Sequence, residues 1–140
     1  MSRRSLPNFI LVEDNEDHAV LVRKTLASEE IANKLTVFGD AESALEHLRD
    51  PQTATPQVIL LDINLPEMTG LELLKVLKSD GRLKTIPVVM LSTSEAEVDR
   101  LKAYEYAANS YLTKPVDFQN FRKMIKDVGH YWGVWNRPSS

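Results

Sequence analysis

Short apolar runs, each closed by polar residues, recur along the chain and set its organisation. Bounded apolar runs of this kind are typical of buried parallel strands. Four of these runs are followed by residues that can take part in chemistry. They are Phe9 to Val12 before Glu13-Asp14, Val58 to Leu61 before Asp62, Ile86 to Leu91 before Ser92-Thr93, and Ser110 to Leu112 before Lys114-Pro115. Leu35 to Phe38, which is rich in β-formers, predicts one more strand.

Between these runs, apolar residues recur every three or four positions, which predicts amphipathic helices. Asn15 or Asp17 can cap the first helix and Asp40 the second, which should stop before Pro51. The predicted apolar faces of these two helices comprise Ala19, Val22 and Leu26, and Ala41, Ala44, Leu45 and Leu48.

Three more helices are predicted in the second half of the chain. The third follows Gly70 and ends near Asp80, the fourth opens on a capping box from Ser94 to Glu97, and the fifth is capped by Asp117. Their predicted apolar faces comprise Leu71, Leu74, Val76 and Leu77; Val98, Leu101 and Tyr104 or Glu105; and Phe121, Met124 or Ile125, and Val128. Five βα units with short connections predict one α/β domain with a doubly wound five-stranded parallel sheet.

Composition narrows the function classes. At 140 residues, with 43% hydrophobic and 26% charged residues, the chain can bury one core without disulfides. The absence of cysteine excludes thiol catalysis and cysteine-ligated zinc, and fits a reducing compartment. A net charge of −3 argues against a nucleic-acid-binding surface. No apolar stretch has membrane-spanning length, so we expect no membrane partner and a cytoplasmic location.

The residues that close the strands point to one kind of chemistry. In an open α/β sheet, ligands bind beyond the carboxyl ends of the strands, where Glu13, Asp14 and Asp62 should meet. A carboxylate such as Asp62 can act as a nucleophile toward a phosphoryl group, provided a cation offsets the negative charge. Mg²⁺, or Mn²⁺ in its place, prefers such oxygen ligands, and the backbone carbonyl of Asn64 is a further candidate.

Two residues from other strand ends complete the candidate site. The Lys114 ammonium and the Ser92 hydroxyl can both donate hydrogen bonds to a phosphoryl group on Asp62. Lys114-Pro115 is an X-Pro bond in a tight turn, where a cis isomer is plausible. Taken singly, each acid could open a helix or a turn, Ser92 could be a cap and Lys114 a surface lysine. Their joint placement after successive strands favours the functional interpretation.

The three histidines show no metal-ligand spacing. His18, His47 and His130 are scattered, which favours surface positions or partly buried packing. His18 lies close in sequence to the acidic pair and could modulate it.

Several segments together resemble the receiver domains of two-component response regulators. They are Ile10 to Asn15, Leu60 to Gly70, Pro87 to Thr93 and Ala108 to Pro115, and the resemblance spans about residues 8–128. It implies a flavodoxin-like receiver fold with strand order 2-1-3-4-5 in a single domain over residues 1–140, ending in a C-terminal tail (residues 129–140).

The resemblance also implies roles for the site residues. Asp62 would accept phosphate from a histidine kinase or phosphotransfer protein, Asp14 would bind the metal directly, and Glu13 would act mostly through water. Glu13 replaces the commoner Asp at its position. Ser92 and Lys114 would bind the phosphoryl group, and Tyr111 would be the aromatic switch residue coupled to Ser92. Phosphorylation would then remodel the surface of the fourth helix, fifth strand and fifth helix.

A finer resemblance, to the single-domain regulators that partner bacterial phytochromes, lies in the C-terminal half. It rests on Ser92 to Glu97, Ala108 to Tyr111, Lys114 to Phe118 and Tyr131-Trp132. The chain has no room for a DNA-binding domain after the receiver, so we expect output through protein contacts or phosphate transfer. The aromatic residues of the tail predict a homodimer through the last helix and tail; packing onto the chain's own last helix is the alternative.

Three other protein classes fit less well. A phosphatase of the haloacid dehalogenase type needs a second Asp where Asn64 stands, and a cap domain. A flavodoxin-like FMN binder needs a hydroxyl-rich loop where Glu13-Asp14 would repel phosphate. A pseudo-receiver, which serves as an interaction module without phosphorylation, would lack Asp62, Lys114 or the acidic pair. We therefore expect a phosphoacceptor switch and not a metabolic enzyme.

Overall fold

The computed structural model describes residues 8–29, 31, 34–93 and 96–137, which form one parallel sheet with helices on both faces. The strands are β1 (Asn8–Val12), β2 (Lys34–Phe38), β3 (Val58–Asp62), β4 (Val88–Ser92) and β5 (Ser110–Thr113). The helices are α1 (Glu16–Ser28), α2 (Ala41–Arg49), α3 (Gly70–Ser79), α4 (Glu97–Glu105) and α5 (Phe118–His130), followed by a π-helical turn (Tyr131–Trp135). The strand order is β2-β1-β3-β4-β5, which confirms the predicted fold.

Two apolar layers enclose the sheet. Alternate residues of β1, such as Ile10 and Val12, pack with α2 and α3, while Phe9 and Leu11 pack with α1 and α5. Every residue of β3 is buried, because the strand is central and covered on both faces. This explains why β1, β3 and β4 appear in the sequence as continuous apolar runs without alternation.

Side-chain caps fix where most helices begin. The side chains of Asn15, Asp40 and Asp117 accept hydrogen bonds from backbone N–H groups in the first turns of α1, α2 and α5, as predicted. The capping box that the structure shows is at α3, where Thr69 and Glu72 bond reciprocally. The box predicted at α4 depends on Ser94, which lies outside the described residues.

Helix α4 corrects one predicted face. Val98, Leu101 and Tyr104 are 63%, 57% and 50% exposed, so the predicted apolar stripe does not face the core. The helix instead buries Ala103, on its opposite side. A small side chain allows α4 to lie close to the sheet, whereas the sequence pattern gave more weight to the larger apolar residues.

The C-terminal tail packs back onto its own chain through two glycines. A Cβ at Gly129 would lie 2.7 Å from Leu26 Cδ2, and a Cβ at Gly133 would lie 2.8 Å from Ile31 Cγ2. Trp132 packs against the core on the same side, which is the alternative that the sequence left open for the tail. On the outer side, Tyr131, Val134 and Trp135 are exposed.

Two further features are the peptide-bond isomers and the length of the helices. Among the described residues every peptide bond is trans, including Lys114–Pro115. No helix in this part of the chain is long and apolar enough to cross a membrane.

Candidate phosphoacceptor site

The strand ends bring the predicted acidic residues together. Glu13 and Asp14 directly follow β1, and Asp62 is the last residue of β3, the neighbouring strand. Carboxylate oxygens of all three lie within 4.8 Å of one another. Glu13 and Asp62 are buried, whereas Asp14 is exposed at the mouth of the site. The cluster therefore has a closed floor and a side open to solvent.

Lys114 carries the positive charge of the site. It follows β5, and its backbone N–H donates to the carbonyl oxygen of Ser92 at the end of β4, 2.7 Å away. Its Nζ lies 2.5 Å from Glu13 Oε1 and 3.3 Å from Asp62 Oδ2. The side chain is 2% exposed, so this ion pair is shielded from water. Lys114 therefore holds both buried carboxylates and faces the position that a group on Asp62 would occupy.

The surroundings of Glu13 raise the pKa of its carboxyl group. Burial is the main cause that raises the pKa of Glu13 to about 7, and the hydrogen bond and charge of Asp62 add to it. The hydrogen bond from Lys114 opposes this rise in the pKa without cancelling it. One ammonium thus does not offset the negative charge of this pocket, and a further cation would stabilise the fully ionised cluster.

The residues present fit Mg²⁺ or Mn²⁺. Hard divalent cations take oxygen ligands, and Mg²⁺ keeps several waters, so a few carboxylates suffice. Glu13, Asp14 and Asp62 offer such oxygens within one small space. This set of donors supports the metal that the sequence predicts.

The loop after β3 shapes the main chain around Asp62. The backbone N–H of Asn64 donates to Asp62 Oδ1 at 3.2 Å, which orients the carboxylate. The N–H of Gly70 donates to the carbonyl of Ile63 at 2.9 Å. A Cβ on Gly70 would lie 2.1 Å from the carbonyl oxygen of Asp62, so the start of α3 can approach this closely only with glycine. Glu67, in the same loop, has a φ of 60°, in the left-handed region.

Ser92 and Tyr111 lie on the neighbouring strands. Ser92 is the fully buried last residue of β4, beside β3. Tyr111, on β5, is half-buried against the core on the α3 and α4 side and pairs with Met90 of β4. Ser92 stands at the carboxyl edge of the sheet, whereas Tyr111 is the second residue of β5.

His18 is the site neighbour that the sequence pattern did not assign. Its Nδ1 lies 3.1 Å from Lys114 Nζ and 3.7 Å from Glu13 Oε1. Burial and the positive charge of Lys114 lower the pKa of His18. In the sequence, His18 is close to the acidic pair but far from Lys114. The sequence could therefore point to His18 as a neighbour of the acids, but not to its contact with Lys114. The other histidines lie elsewhere: His47 packs against Phe38, and His130 lies 3.7 Å from Glu29.

Comparison with known proteins agrees with this fold. Residues 9–126 match the model of the response regulator receiver domain. The chain is 36% identical over 132 residues to the probable methanogenesis regulatory protein FilR2 of Methanothrix harundinacea, covering 92% of this chain and 85% of that protein. It is 35% identical over 128 residues to the response regulator Rcp1 of Synechocystis, covering 89% and 87%.

Solved structures of response regulators have the same fold as this chain. The phosphorylated cyanobacterial phytochrome response regulator RcpA superposes with a TM-score of 0.92 at 33% identity, covering 97% of this chain and 100% of that one. The Mn²⁺-bound form of Rcp1 gives 0.90 at 33% identity, with 96% and 99% covered. The bacteriophytochrome response regulator AtBRR gives 0.73 at 35% identity, with 98% and 100% covered.

The chain therefore belongs to the response regulator receiver domain family, which functions in signalling and not in metabolism. Its relatives include the phytochrome response regulators.

Proposed function

We propose that this protein is a response regulator whose receiver domain accepts a phosphoryl group on Asp62. The observation that carries the proposal is the buried arrangement around Asp62. Lys114 Nζ lies 3.3 Å from its Oδ2, and oxygens of Glu13 and Asp14 lie within 4.8 Å. A nucleophilic carboxylate, a fixed ammonium and a cluster of metal-binding oxygens are what phosphoryl transfer to an acid requires.

The phosphoryl transfer is a nucleophilic displacement at phosphorus. A carboxylate oxygen of Asp62 forms the new P–O bond while the P–N bond to the donor's histidine breaks. The leaving imidazole keeps the electron pair of that bond and takes a proton from solvent. Lys114 and Ser92 donate hydrogen bonds to the phosphoryl oxygens. Glu13, Asp14, Asp62 and the backbone carbonyl of Asn64 would hold Mg²⁺ or Mn²⁺, which supplies charge neutralisation at those oxygens.

Phosphorylation would be read out through Ser92 and Tyr111. Ser92 moves toward the phosphoryl group on Asp62, and Tyr111 turns into the space beside β4. Support comes from the position of Ser92 at the end of β4 and from the half-buried Tyr111 ring on β5. The surface of α4, β5 and α5 then changes as a shift in population between two states.

The partner would be a sensor histidine kinase, and specifically a bacterial phytochrome. Similarity to RcpA, Rcp1 and AtBRR supports this partner. The lack of cysteine supports a cytoplasmic location. The test is phosphate transfer from purified autophosphorylated kinases: faster transfer from a phytochrome kinase than from other histidine kinases is expected. Equal rates from all of them would contradict the specific partner.

A homodimer through α5 and the C-terminal tail is a further part of the proposal. Tyr131, Val134 and Trp135 are 53%, 55% and 75% exposed on the outer side of the tail, and aromatic residues commonly anchor interfaces. Sedimentation of Trp135→Ser should show a shift toward monomer. Val98→Ser, which removes another exposed apolar residue, from α4, serves as the control and should leave the proportion of dimer unchanged. A wild-type chain that sediments as a monomer contradicts the dimer.

The phosphoacceptor itself is tested by intact mass after incubation with acetyl phosphate, with and without Mg²⁺. The expected result is one phosphoryl adduct that requires both Mg²⁺ and Asp62 and is absent from Asp62→Ala. No adduct on well-folded wild-type protein would leave an interaction module that does not take phosphate.

A further inference from the structure

His18 contacts the lysine of the site from a helix outside the four strand ends. It lies in the first turn of α1, and its Nδ1 is 3.1 Å from Lys114 Nζ. A lysine ammonium has donors and no acceptor, so His18 Nδ1 accepts this hydrogen bond and the ring proton resides on Nε2. The contact joins two positions that neither the strand pattern nor the metal cluster explains.

The position of the His18 ring is fixed from two sides. Asn15 is the N-cap of α1, and its Oδ1 accepts a hydrogen bond from the backbone N–H of His18 at 3.1 Å. The His18 ring packs edge-on against buried Phe121 of α5, with centroids 5.2 Å apart and an interplanar angle of 77°. The histidine side chain is 21% exposed. The backbone hydrogen bond and the contact with Phe121 together restrict the ring, which makes Nδ1 a well-placed acceptor for the Lys114 ammonium.

The geometry around Lys114 Nζ gives this contact a consequence. The ammonium offers three N–H groups, and its contacts include Glu13 Oε1 at 2.5 Å, Asp62 Oδ2 at 3.3 Å and His18 Nδ1 at 3.1 Å. Glu13 and His18 can each take one N–H, which directs the remaining one toward Asp62. That direction is the one from which a phosphoryl oxygen on Asp62 would accept it.

We propose that His18 is a positioning residue for phosphoryl transfer, which orients the Lys114 ammonium toward the phosphoryl group on Asp62. The inference rests on the proposed function of Asp62 and adds a residue to its machinery. His18 does not touch the phosphoryl group and acts through Lys114.

A matched pair of variants separates the hydrogen bond from the packing. Asn places its Oδ1 near the position of the histidine Nδ1, so His18→Asn keeps an acceptor, whereas His18→Leu fills similar space without one. We expect His18→Leu to lower the rate constant for phosphorylation by acetyl phosphate about two- to tenfold, the value of one hydrogen bond. His18→Asn should recover most of the loss. Val20→Ala, an exposed change on the same helix, should leave the rate unchanged.

A second readout does not depend on phosphorylation. In metal-free protein labelled with ¹⁵N-lysine, the resonance of the Lys114 ammonium should shift and broaden in His18→Leu and stay close to wild type in His18→Asn. A wild-type rate together with an unshifted ammonium resonance in His18→Leu overturns the proposal. So does a rate in His18→Asn as low as in His18→Leu, which would indicate packing alone. Failure of the wild-type chain to take phosphate would contradict the proposed function, while the resonance would still test the contact.

Discussion

Replacement of Gly70 by alanine should damage the phosphoacceptor more than the fold. The new Cβ would lie 2.1 Å from the Asp62 carbonyl oxygen, 2.8 Å from Ile63 Cα and 2.9 Å from Asp62 C. All three are backbone atoms, so no flexible side chain can give way. Ordinary van der Waals contact begins at 3.4 Å, so the start of α3 and the main chain of Asp62 must separate by about 1.3 Å.

This displacement sets the size of both expected effects. Overpacking of a well-packed site costs about 1–3 kcal/mol, so the free energy of unfolding of Gly70→Ala should fall by that amount. A misplacement of about 1 Å at a reacting group can cost about a hundredfold in rate, so phosphorylation should slow by up to that factor. Alanine favours a helix over glycine by up to about 1 kcal/mol, which works against the first effect and not against the second.

The assay combines urea denaturation with the rate of acetyl phosphate labelling, measured on Gly70→Ala and on Gly81→Ala as the matched control. A Cβ at Gly81 meets nothing within 4 Å, so that variant should keep the wild-type rate and stability. If Gly70→Ala is labelled as fast as Gly81→Ala, the close approach at Gly70 does not position Asp62. If Gly70→Ala is more stable than the wild type, the added Cβ does not overpack this site.

Three further predictions follow from the charges. In metal-free alkaline buffer, Lys114→Met should lose about 3 kcal/mol in the free energy of unfolding, because Glu13 and Asp62 stay buried without their cation; urea denaturation at wild-type stability would contradict this. Hydrogen bonds from first-turn N–H groups lower the pKa of the Asp40 and Asp117 carboxyl groups. The two ionised carboxylates therefore stabilise the folded state fully above the ordinary pKa of 3.8, and this stabilisation is lost as pH falls through the lowered pKa values. Acid denaturation of Asp40→Asn with Asp117→Asn should therefore depend less steeply on pH, and an unchanged slope would count against the caps. Mg²⁺ at a hundredfold excess over its Kd should stabilise the wild type by about 2.7 kcal/mol, whereas Asp62→Asn should gain less at the same concentration; equal shifts in thermal melting would exclude Asp62 as a ligand.

The sequence predicts what depends on local pattern. The strand ends could be located because β1, β3 and β4 are buried on both faces and become polar where they leave the sheet. The meeting of Glu13, Asp14 and Asp62 then follows from parallel topology. The capping box of Thr69 and Glu72 was also readable from its spacing, although it was missed.

Features that depend on side chains distant in sequence were out of reach. The face that α4 buries was predicted wrongly because the small Ala103, and not Val98 or Leu101, decides how the helix lies on the sheet. The contact of His18 with Lys114 joins α1 to the end of β5, and no periodicity marks it. Both features depend on how side chains pack in three dimensions, which the spacing of apolar residues along the sequence does not record.

If Asp62 carries the phosphoryl group, chemical trapping of the labelled protein can locate the group at that residue. After labelling with acetyl phosphate and Mg²⁺, borohydride reduces an aspartyl phosphate to homoserine, which peptide mass spectrometry can locate. We expect homoserine at position 62 in labelled protein and unmodified aspartate there without the phosphate donor. Homoserine at Asp14, or labelled protein without any homoserine, would contradict phosphorylation at Asp62.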